Sequence, residues 1–179
     1  ELFTQSEKAI LWDNLNIPFV DSILILMFTG YRIGELLSLT KDKIKNLTIK
    51  EEEYWYAQHG NKTEAGKNKI VPFPSIILPL VKRNYNSSQT YLIERNGSGK
   101  KIDVDNYRTR IFNPIIEQLK LNPKLTPHST QHNYATMLNK NVANKTTIIN
   151  LMGHEDHDMT LHYTHQGLEE LIEAVKDLH

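Results

Sequence analysis

The hydrophobic period of this chain changes twice, and that change restricts its fold more than any other feature of the sequence. Apolar residues before position 40 recur at helical spacing and include an almost continuous apolar run over 20–28. Three short segments, 45–49, 54–58 and 69–73, are instead rich in the β-branched and aromatic residues that favour strands. A helical pattern returns near 75–85, and helical patterns dominate from Val104 onward. Helices on both sides of a small three-stranded antiparallel sheet predict an α+β fold that is mainly α.

Capping and turn residues place the ends of the predicted helices. Thr4-Gln-Ser-Glu7 has the form of a capping box, so a helix is expected directly after it. Gly30 ends the apolar run, and the next helix is expected from Arg32 to Leu39. The polar stretch 59–66 is expected to join the last two strands as a hairpin loop. Later helices are predicted near 75–85, 104–120, 127–140, 144–152, 157–163 and 167–178.

Composition excludes several classes of protein. The 179 residues suit one well-buried domain, so a single domain over 1–179 is expected. The chain has no cysteine, which excludes disulfides and thiolate metal sites and favours a reducing, cytoplasmic location. Its apolar runs fall short of the roughly 20 residues needed to span a bilayer. It begins Glu1-Leu2-Phe3 without an initiator methionine, so we expect a piece of a longer protein.

The net charge of zero gives no support to a nucleic-acid partner, but the charge is unevenly distributed. The segment from Lys120 to Lys145 contains four lysines, two histidines and no acidic residue. The stretch from Glu169 to Asp177 is acidic instead. A neutral chain can therefore still present a basic face.

Two segments combine residues suited to phosphate chemistry. The first, TGYRIGELLSL over 29–39, places Arg32 and Glu35 one helical turn apart. Taken alone, that pair is an ordinary surface ion pair. The second, TPHSTQHNYAT over 126–136, is followed by Met152-Gly-His154 and by Tyr163-Thr-His165.

Together these blocks resemble the catalytic domain of the tyrosine recombinases, most closely the integrases of phages and conjugative transposons. The segment 29–39 matches the family's T-G-x-R-x-x-E-L-x-x-L, and 128–132 matches H-x-x-R-H at four of five places. Met152-Gly-His154 is similar to the family's L-G-H block, and Tyr163-Thr-His165 to its Y-T-H ending. The resemblance extends over essentially the whole chain, and the spacing between the blocks also fits.

The resemblance implies that Tyr163 attacks a DNA phosphodiester and leaves a 3′-phosphotyrosine and a free 5′-hydroxyl. This exchange conserves bond energy, so neither a nucleotide cofactor nor a metal is expected. Arg32 would clamp the phosphate oxygens through its planar fork, and Glu35 would orient Arg32 or its helix. Lys62 resembles the family's mobile lysine, the general acid toward the leaving oxygen, although Lys67 and Lys69 could be confused with it.

The remaining site and partner expectations follow from the same resemblance. His128 and His154 would donate to the phosphate or shuttle protons. Lys124 and Lys145, in the basic segment, are further candidates for DNA contact. The expected partners are double-stranded attachment sites and further copies of the chain, as a tetramer on DNA. The core-binding and arm-binding domains would lie outside this chain. A C-terminal helix over 167–179 would dock on a neighbouring protomer or pack on its own domain.

Gln131 departs from the family pattern, which has a second arginine at this place. Glutamine is neutral and cannot make a bidentate charged contact, whereas an arginine that stabilises a phosphoryl transition state contributes about 10³–10⁵ in rate. The substitution predicts impaired cleavage with the fold and DNA binding retained. A catalytically inactive DNA-binding module is therefore the main alternative function.

Two further alternatives come from other residues. His154, His157, His162 and His165 form two H-x-x-H pairs, a pattern that could indicate a zinc-dependent hydrolase. Their spacing is loose and no cysteine accompanies them, so no metal site is expected. A type IB topoisomerase would share the tyrosine chemistry, but the integrase-like blocks and the small size argue against it.

Overall fold

A computed structural model describes residues 1–59, 69–142, 144–152 and 165–179 of the chain. Within these ranges the fold is mainly helical with one three-stranded antiparallel sheet, which confirms the predicted fold class. None of the described helices combines the length and the apolar character needed to cross a bilayer. The described residues divide into two compact units, Glu1–Lys41 with Leu80–Tyr134, and Asp42–Pro79 with Ala135–His179. The expectation of a single domain stays a prediction.

The helices and strands follow one another in the predicted order. They are α1 Gln5–Asp13, α2 Val20–Thr29, α3 Ile33–Leu37, β1 Ile44–Ile49, β2 Glu52–His59, β3 Lys69–Pro72, α4 Leu78–Ser87, α5 Val104–Tyr107, α6 Asn113–Gln118, α7 Pro127–Asn141, α8 Lys145–Met152 and α9 His165–Val175. The predicted helix over 157–163 and most of the hairpin loop over 59–66 lie outside the described residues.

The first unit is built around α2. Every residue of this helix is buried, including the polar Asp21 and Ser22. Helix α1 precedes it and begins at the predicted capping box, in which Thr4 Oγ1 accepts from the backbone N–H of Glu7. A helix that is apolar on all sides belongs in a core, because any solvent-facing side would expose apolar surface. The apolar run over 20–28 is thus confirmed as a buried helix.

The second unit contains the sheet, in the order β1-β2-β3. Strands β1 and β2 form a hairpin whose two turn residues, Lys50 and Glu51, both have positive φ, at 49° and 69°. Such a turn matches the right-handed twist of the paired strands. Strand β3 pairs antiparallel with β2 in the register Ala57 to Val71. The three predicted strands are confirmed, with β2 longer than expected at both ends.

Some predicted helix boundaries were wrong. Arg32 is the N-cap of α3 and not a residue inside it, and the helix ends at Leu37. The helix predicted over 104–120 contains a π-helical turn, Arg108–Phe112, between α5 and α6. Helix α9 begins at His165, two residues before the predicted start at Gly167, and ends at Val175. Glycine weakens a helix by only about 1 kcal/mol, which the packing of an apolar face offsets.

The apolar face of α9 is buried in this single chain. Its helix contacts β3 and α8, and the backbone N–H of Ser75 donates to the carbonyl oxygen of Lys176. The buried side chains of α9 are Leu168, Leu171, Ile172 and Val175, and Leu178 beyond its end is buried as well. The chain thus buries the apolar face of α9 against its own helices and strands. Docking of this helix on a neighbouring protomer stays a prediction.

Candidate active site

A tight turn at Gly30 separates α2 from the segment that carries Arg32. Gly30 has φ 69°, and its N–H donates to the carbonyl oxygen of Leu26 at 3.0 Å, which ends the helix. A Cβ added at Gly30 would lie 2.3 Å from Cδ1 of Tyr134. Only glycine satisfies both the left-handed backbone and this close approach. The turn therefore brings α7, through Tyr134, into direct contact with the first motif.

Arg32 lies at the start of α3, with its side chain exposed. Its backbone N–H donates to Oε2 of Glu35 at 2.9 Å. Because a carboxylate in the first helical turn satisfies an otherwise unpaired N–H and complements the helix dipole, this contact stabilises the start of α3. The hydrogen bond fixes the backbone at Arg32. The expected role of Glu35 in orienting Arg32 or its helix for catalysis stays a prediction.

Gln131 links α7 to the same turn. Its Nε2 donates to the carbonyl oxygen of Gly30 at 3.2 Å, and its Oε1 lies 2.8 Å from Nδ1 of His128. Gly30 is two positions before Arg32, so this pair of contacts brings the second motif to the segment that carries Arg32. The structure thus joins His128 and Gln131 to the Gly30–Arg32 segment, although they are about a hundred residues apart in sequence.

The first turns of α7 separate exposed from buried polar residues. Ser129, Thr130 and Asn133 are buried, and the Thr130 hydroxyl donates to the carbonyl oxygen of Pro127. Asn133 accepts from the backbone N–H of Phe3 at 2.9 Å, which ties the start of the chain to α7. His128 and His132, on the exposed side, pack edge to face with ring centroids 4.5 Å apart. The sequence pattern did not predict the structural role of Asn133, since its partner Phe3 is distant in sequence.

Three buried tyrosines are unsuited to act as nucleophiles. Burial raises the pKa of Tyr31 well above its usual value, and the nearby Glu35 adds to the effect. Burial likewise raises the pKa of Tyr107 and that of Tyr134 above the ordinary range. A phenol that is enclosed and hard to ionise cannot reach or attack a DNA phosphate. Tyr31 therefore serves the packing of the motif in which it stands.

Three of the predicted catalytic residues, Lys62, His154 and Tyr163, lie outside the described residues. Two further lysines predicted to contact DNA are described and exposed: Lys124 precedes α7 in the first unit, and Lys145 begins α8 in the second. Among the described residues, no group of three or more histidine, aspartate or glutamate side chains could hold a metal ion.

The sequence did not predict a basic cavity in the first unit. This cavity, of about 560 Å³, is lined by Arg95, Lys100, Lys101 and Arg110, with Asp103 as its acidic lining residue. The four cations come from a loop and from the π-helical turn, so no single stretch of sequence is unusually basic. The adjacent pair Lys100-Lys101 was the sequence feature that could have indicated this cavity.

Glu94 holds the loop that supplies part of this cavity. Its carboxylate accepts hydrogen bonds from the backbone N–H groups of Gln89, Thr90 and Tyr91, at 2.8 to 2.9 Å. Partial burial opposes ionisation of Glu94, but these hydrogen bonds outweigh it and lower the pKa of the carboxyl. The charged carboxylate thus keeps the loop folded next to Arg95.

Comparison with known proteins agrees with these motifs and this fold. The model of the phage integrase family matches residues 3–170. The chain belongs to the phage integrase family. The resemblance drawn from the motifs is therefore confirmed.

Individual relatives of this integrase-family chain are recombinases. It is 25% identical over 159 residues to a tyrosine recombinase of Thermosipho africanus, covering 88% of this chain and 53% of the relative. It is 30% identical over 196 residues to the tyrosine recombinase XerD of Chlamydia trachomatis, covering 99% of this chain and 61% of the relative. The chain thus spans little more than half the length of these two relatives.

The fold agrees with that of a solved integrase. The Tn1549 transposon integrase, in complex with transposon right end DNA, superposes with a TM-score of 0.63 at 20% sequence identity. The superposition covers 97% of this chain and 65% of that integrase. At this identity the likeness concerns the fold alone.

Proposed function

We propose that this chain is the catalytic domain of a site-specific DNA recombinase that cuts and rejoins DNA through a 3′-phosphotyrosine at Tyr163. The observation that carries the proposal is the hydrogen bond from Gln131 to Gly30, since it joins the two phosphate motifs at one turn. Arg32 and His128 are both exposed on the segments so joined. Family membership supplies the reaction class, and this geometry supports an active-site role for both segments.

The proposed reaction is a transesterification. The Tyr163 oxygen bonds to phosphorus as the bond to the 5′-oxygen breaks, and the phenolic proton passes to a base such as His128 or His154. Lys62 returns a proton to the 5′-oxygen. Arg32 stabilises the negative charge that builds up on the non-bridging oxygens. Rejoining reverses these steps on a new 5′-hydroxyl, so no energy source or cofactor enters the cycle.

The proposed partner is double-stranded DNA, bound by a tetramer of the full-length protein on paired sites. The basic cavity around Lys100 and Arg110 supports this partner, because cationic side chains that converge on one surface suit phosphates. The DNA-bound state of the Tn1549 integrase supports it as well. Lys124 and Lys145 are proposed to add phosphate contacts.

A second candidate is a DNA-binding module that does not cut. The specific observation in its favour is that Gln131 uses its two polar atoms within the chain, on Gly30 and His128. The position therefore supplies hydrogen bonds to the protein and no positive charge to a phosphate. Because a second arginine would contribute about 10³–10⁵ in rate, a chain with Gln131 is expected to cleave slowly or not at all.

A covalent-capture assay separates the two candidates. The chain is incubated with duplexes that carry a randomised central segment and a nick, so that a cleaved strand cannot be rejoined. DNA that stays attached to protein after denaturation is recovered and sequenced. A cleaving enzyme gives an enriched set of attached sequences, and Gln131→Arg raises the yield by at least about tenfold, a threshold set below the factor of about 10³–10⁵ in rate that a phosphate-clamping arginine contributes.

Two controls complete the assay. Tyr163→Phe removes the phenol that the adduct requires, so attached DNA that survives this change would overturn the proposed nucleophile. Asn139→Arg adds the same cation at an exposed position of α7, away from the motif, and is expected to leave the yield unchanged. If both the unmodified chain and Gln131→Arg bind the duplexes and neither becomes attached to DNA, the result would favour the non-cutting module.

A further inference from the structure

The contacts of Gln131 determine which nitrogen of His128 carries a proton. The carbonyl oxygen of Gly30 can only accept, so the Gln131 atom that faces it at 3.2 Å must be the amide nitrogen. The amide oxygen is then the atom that lies 2.8 Å from Nδ1 of His128. Because that oxygen can only accept, Nδ1 must carry the proton.

A neutral imidazole has a single N–H group, so its other nitrogen is left with a lone pair. With the proton fixed on Nδ1, that lone pair is on Nε2 of His128. The ring of His128 is exposed, whereas Gln131 is partly buried and bonded to the backbone of another segment. The orientation of the Gln131 amide therefore determines which nitrogen of the His128 ring is protonated, and the ring does not determine the orientation of the amide.

An arginine at position 131 would have the opposite effect. Its guanidinium has only N–H donors, so a hydrogen bond to Nδ1 of His128 would require that nitrogen to accept. The proton of the neutral ring would then be on Nε2. The residue at 131 thus decides whether neutral His128 donates or accepts at Nε2.

We propose that Gln131 is a positioning residue that makes neutral His128 a proton acceptor at Nε2. An acceptor there suits a hydroxyl group and not a phosphate oxygen, since phosphate oxygens themselves need donors. This assignment rests on the proposed function: His128 would be the group that accepts the proton of the attacking hydroxyl. The hydroxyl proton moves to Nε2 while the oxygen it leaves bonds to phosphorus and the bond from phosphorus to the leaving oxygen breaks. In cleavage the leaving oxygen is the 5′-oxygen of DNA, which takes a proton from Lys62 as proposed above, and in rejoining it is the phenolic oxygen of Tyr163. Gln131 accordingly has a defined role beyond the loss of an arginine.

The test is to read the tautomer of His128 directly. Nitrogen-15 NMR on histidine-labelled chain, without DNA, reports which ring nitrogen is protonated at pH 9, where imidazoles are neutral. A His128→Asn variant identifies the signals of His128. The expected result is a ring protonated mainly at Nδ1. In Gln131→Met, which keeps the length but removes the acceptor, the ratio should shift at least about fivefold toward Nε2–H, or about 1 kcal/mol.

Two further variants sharpen the result. Gln131→Glu keeps an acceptor and should keep the proton on Nδ1, whereas Gln131→Arg should place it on Nε2. A loss of packing alone would not separate these two variants. Protonation mainly at Nε2 in the unmodified chain, or an unchanged ratio in Gln131→Met, would overturn the proposal. Because no DNA is present, the NMR result does not depend on strand cleavage. A failure of cleavage would therefore not contradict this proposal, and the formation of covalent adducts would not support it.

Discussion

The ring of Tyr134 fills the space that a side chain at Gly30 would need, 2.3 Å from the place of its Cβ. This contact joins the turn before Arg32 to the helix that carries Gln131. The geometry of the candidate site therefore depends on a glycine that itself carries no chemistry. The first prediction tests that dependence.

Gly30→Ala should destabilise the chain by about 2–4 kcal/mol. An alanine with positive φ costs about 1–2 kcal/mol, and the methyl group would also displace the Tyr134 ring. Urea unfolding measures the loss. The matched control is Gly34→Ala within α3, where the nearest atom to the new Cβ is a Val104 methyl at 3.8 Å. That change should be neutral or stabilise by up to about 1 kcal/mol, and equal losses in the two variants would contradict the argument.

Tyr134→Phe should leave stability unchanged or raise it by about 1 kcal/mol. The Tyr134 hydroxyl is buried with no hydrogen-bond partner among the described residues, so removing it relieves a desolvation cost. Tyr107→Phe is the comparison, because that hydroxyl lies 2.7 Å from the Ser22 hydroxyl. Its loss should cost about 1 kcal/mol. Thermal unfolding of the two variants gives the comparison, and the reverse order of stability would refute the assignment.

Asp21→Ala should lower the free energy of unfolding by about 2–3 kcal/mol. Asp21 is buried and accepts from Arg83 at 2.8 Å, from Asn84 at 2.7 Å and from the backbone of Ser22. The control is Asp105→Ala, which removes an exposed partner of Arg108 and should change stability by less than about 0.5 kcal/mol. Chemical denaturation measures both, and a small effect at Asp21 would show that this buried cluster contributes little.

Glu94 predicts a specific dependence of stability on pH. Its pKa is lower in the folded chain than in the unfolded one, because the backbone hydrogen bonds outweigh the effect of burial. Its stabilisation is therefore fully present above the unfolded value of about 4.3 and is lost as pH falls through the folded value. Glu94→Gln should be less stable than the unmodified chain at pH 7, and the gap should close toward pH 3. Urea midpoints across this range measure the gap, and a gap that widens in acid would reverse the sign.

The proposed DNA partner leads to a prediction about the basic cavity. Lys100→Gln and Arg110→Gln should each weaken binding to any duplex and reduce the slope of log affinity against log salt by about 0.9. Lys176→Gln is the control, because this lysine, which directly follows α9, pairs with Glu173 at 2.9 Å. Fluorescence anisotropy with a labelled duplex at several salt concentrations gives both quantities. Unchanged slopes for the cavity variants would show that the cavity does not face DNA.

The sequence alone was sufficient to predict the family, the order of the helices and strands, and the three-stranded sheet. Period and capping are local properties, so the capping box at Thr4 and the buried run of α2 could be predicted from neighbouring residues. Boundaries inside continuous helical patterns were less predictable. The π-helical turn at Arg108–Phe112 and the start of α9 before Gly167 depend on packing with distant residues.

The way in which the motifs meet depends on tertiary contacts. The sequence placed Arg32, Glu35, His128 and Gln131 in the site by resemblance, but it could not show that Gln131 bonds to Gly30 and His128. The sequence also could not predict that Arg95, Lys100 and Arg110 line one cavity. The physical reason is that hydrogen bonds and charge act over a few ångströms in space, whereas sequence records only distance along the chain.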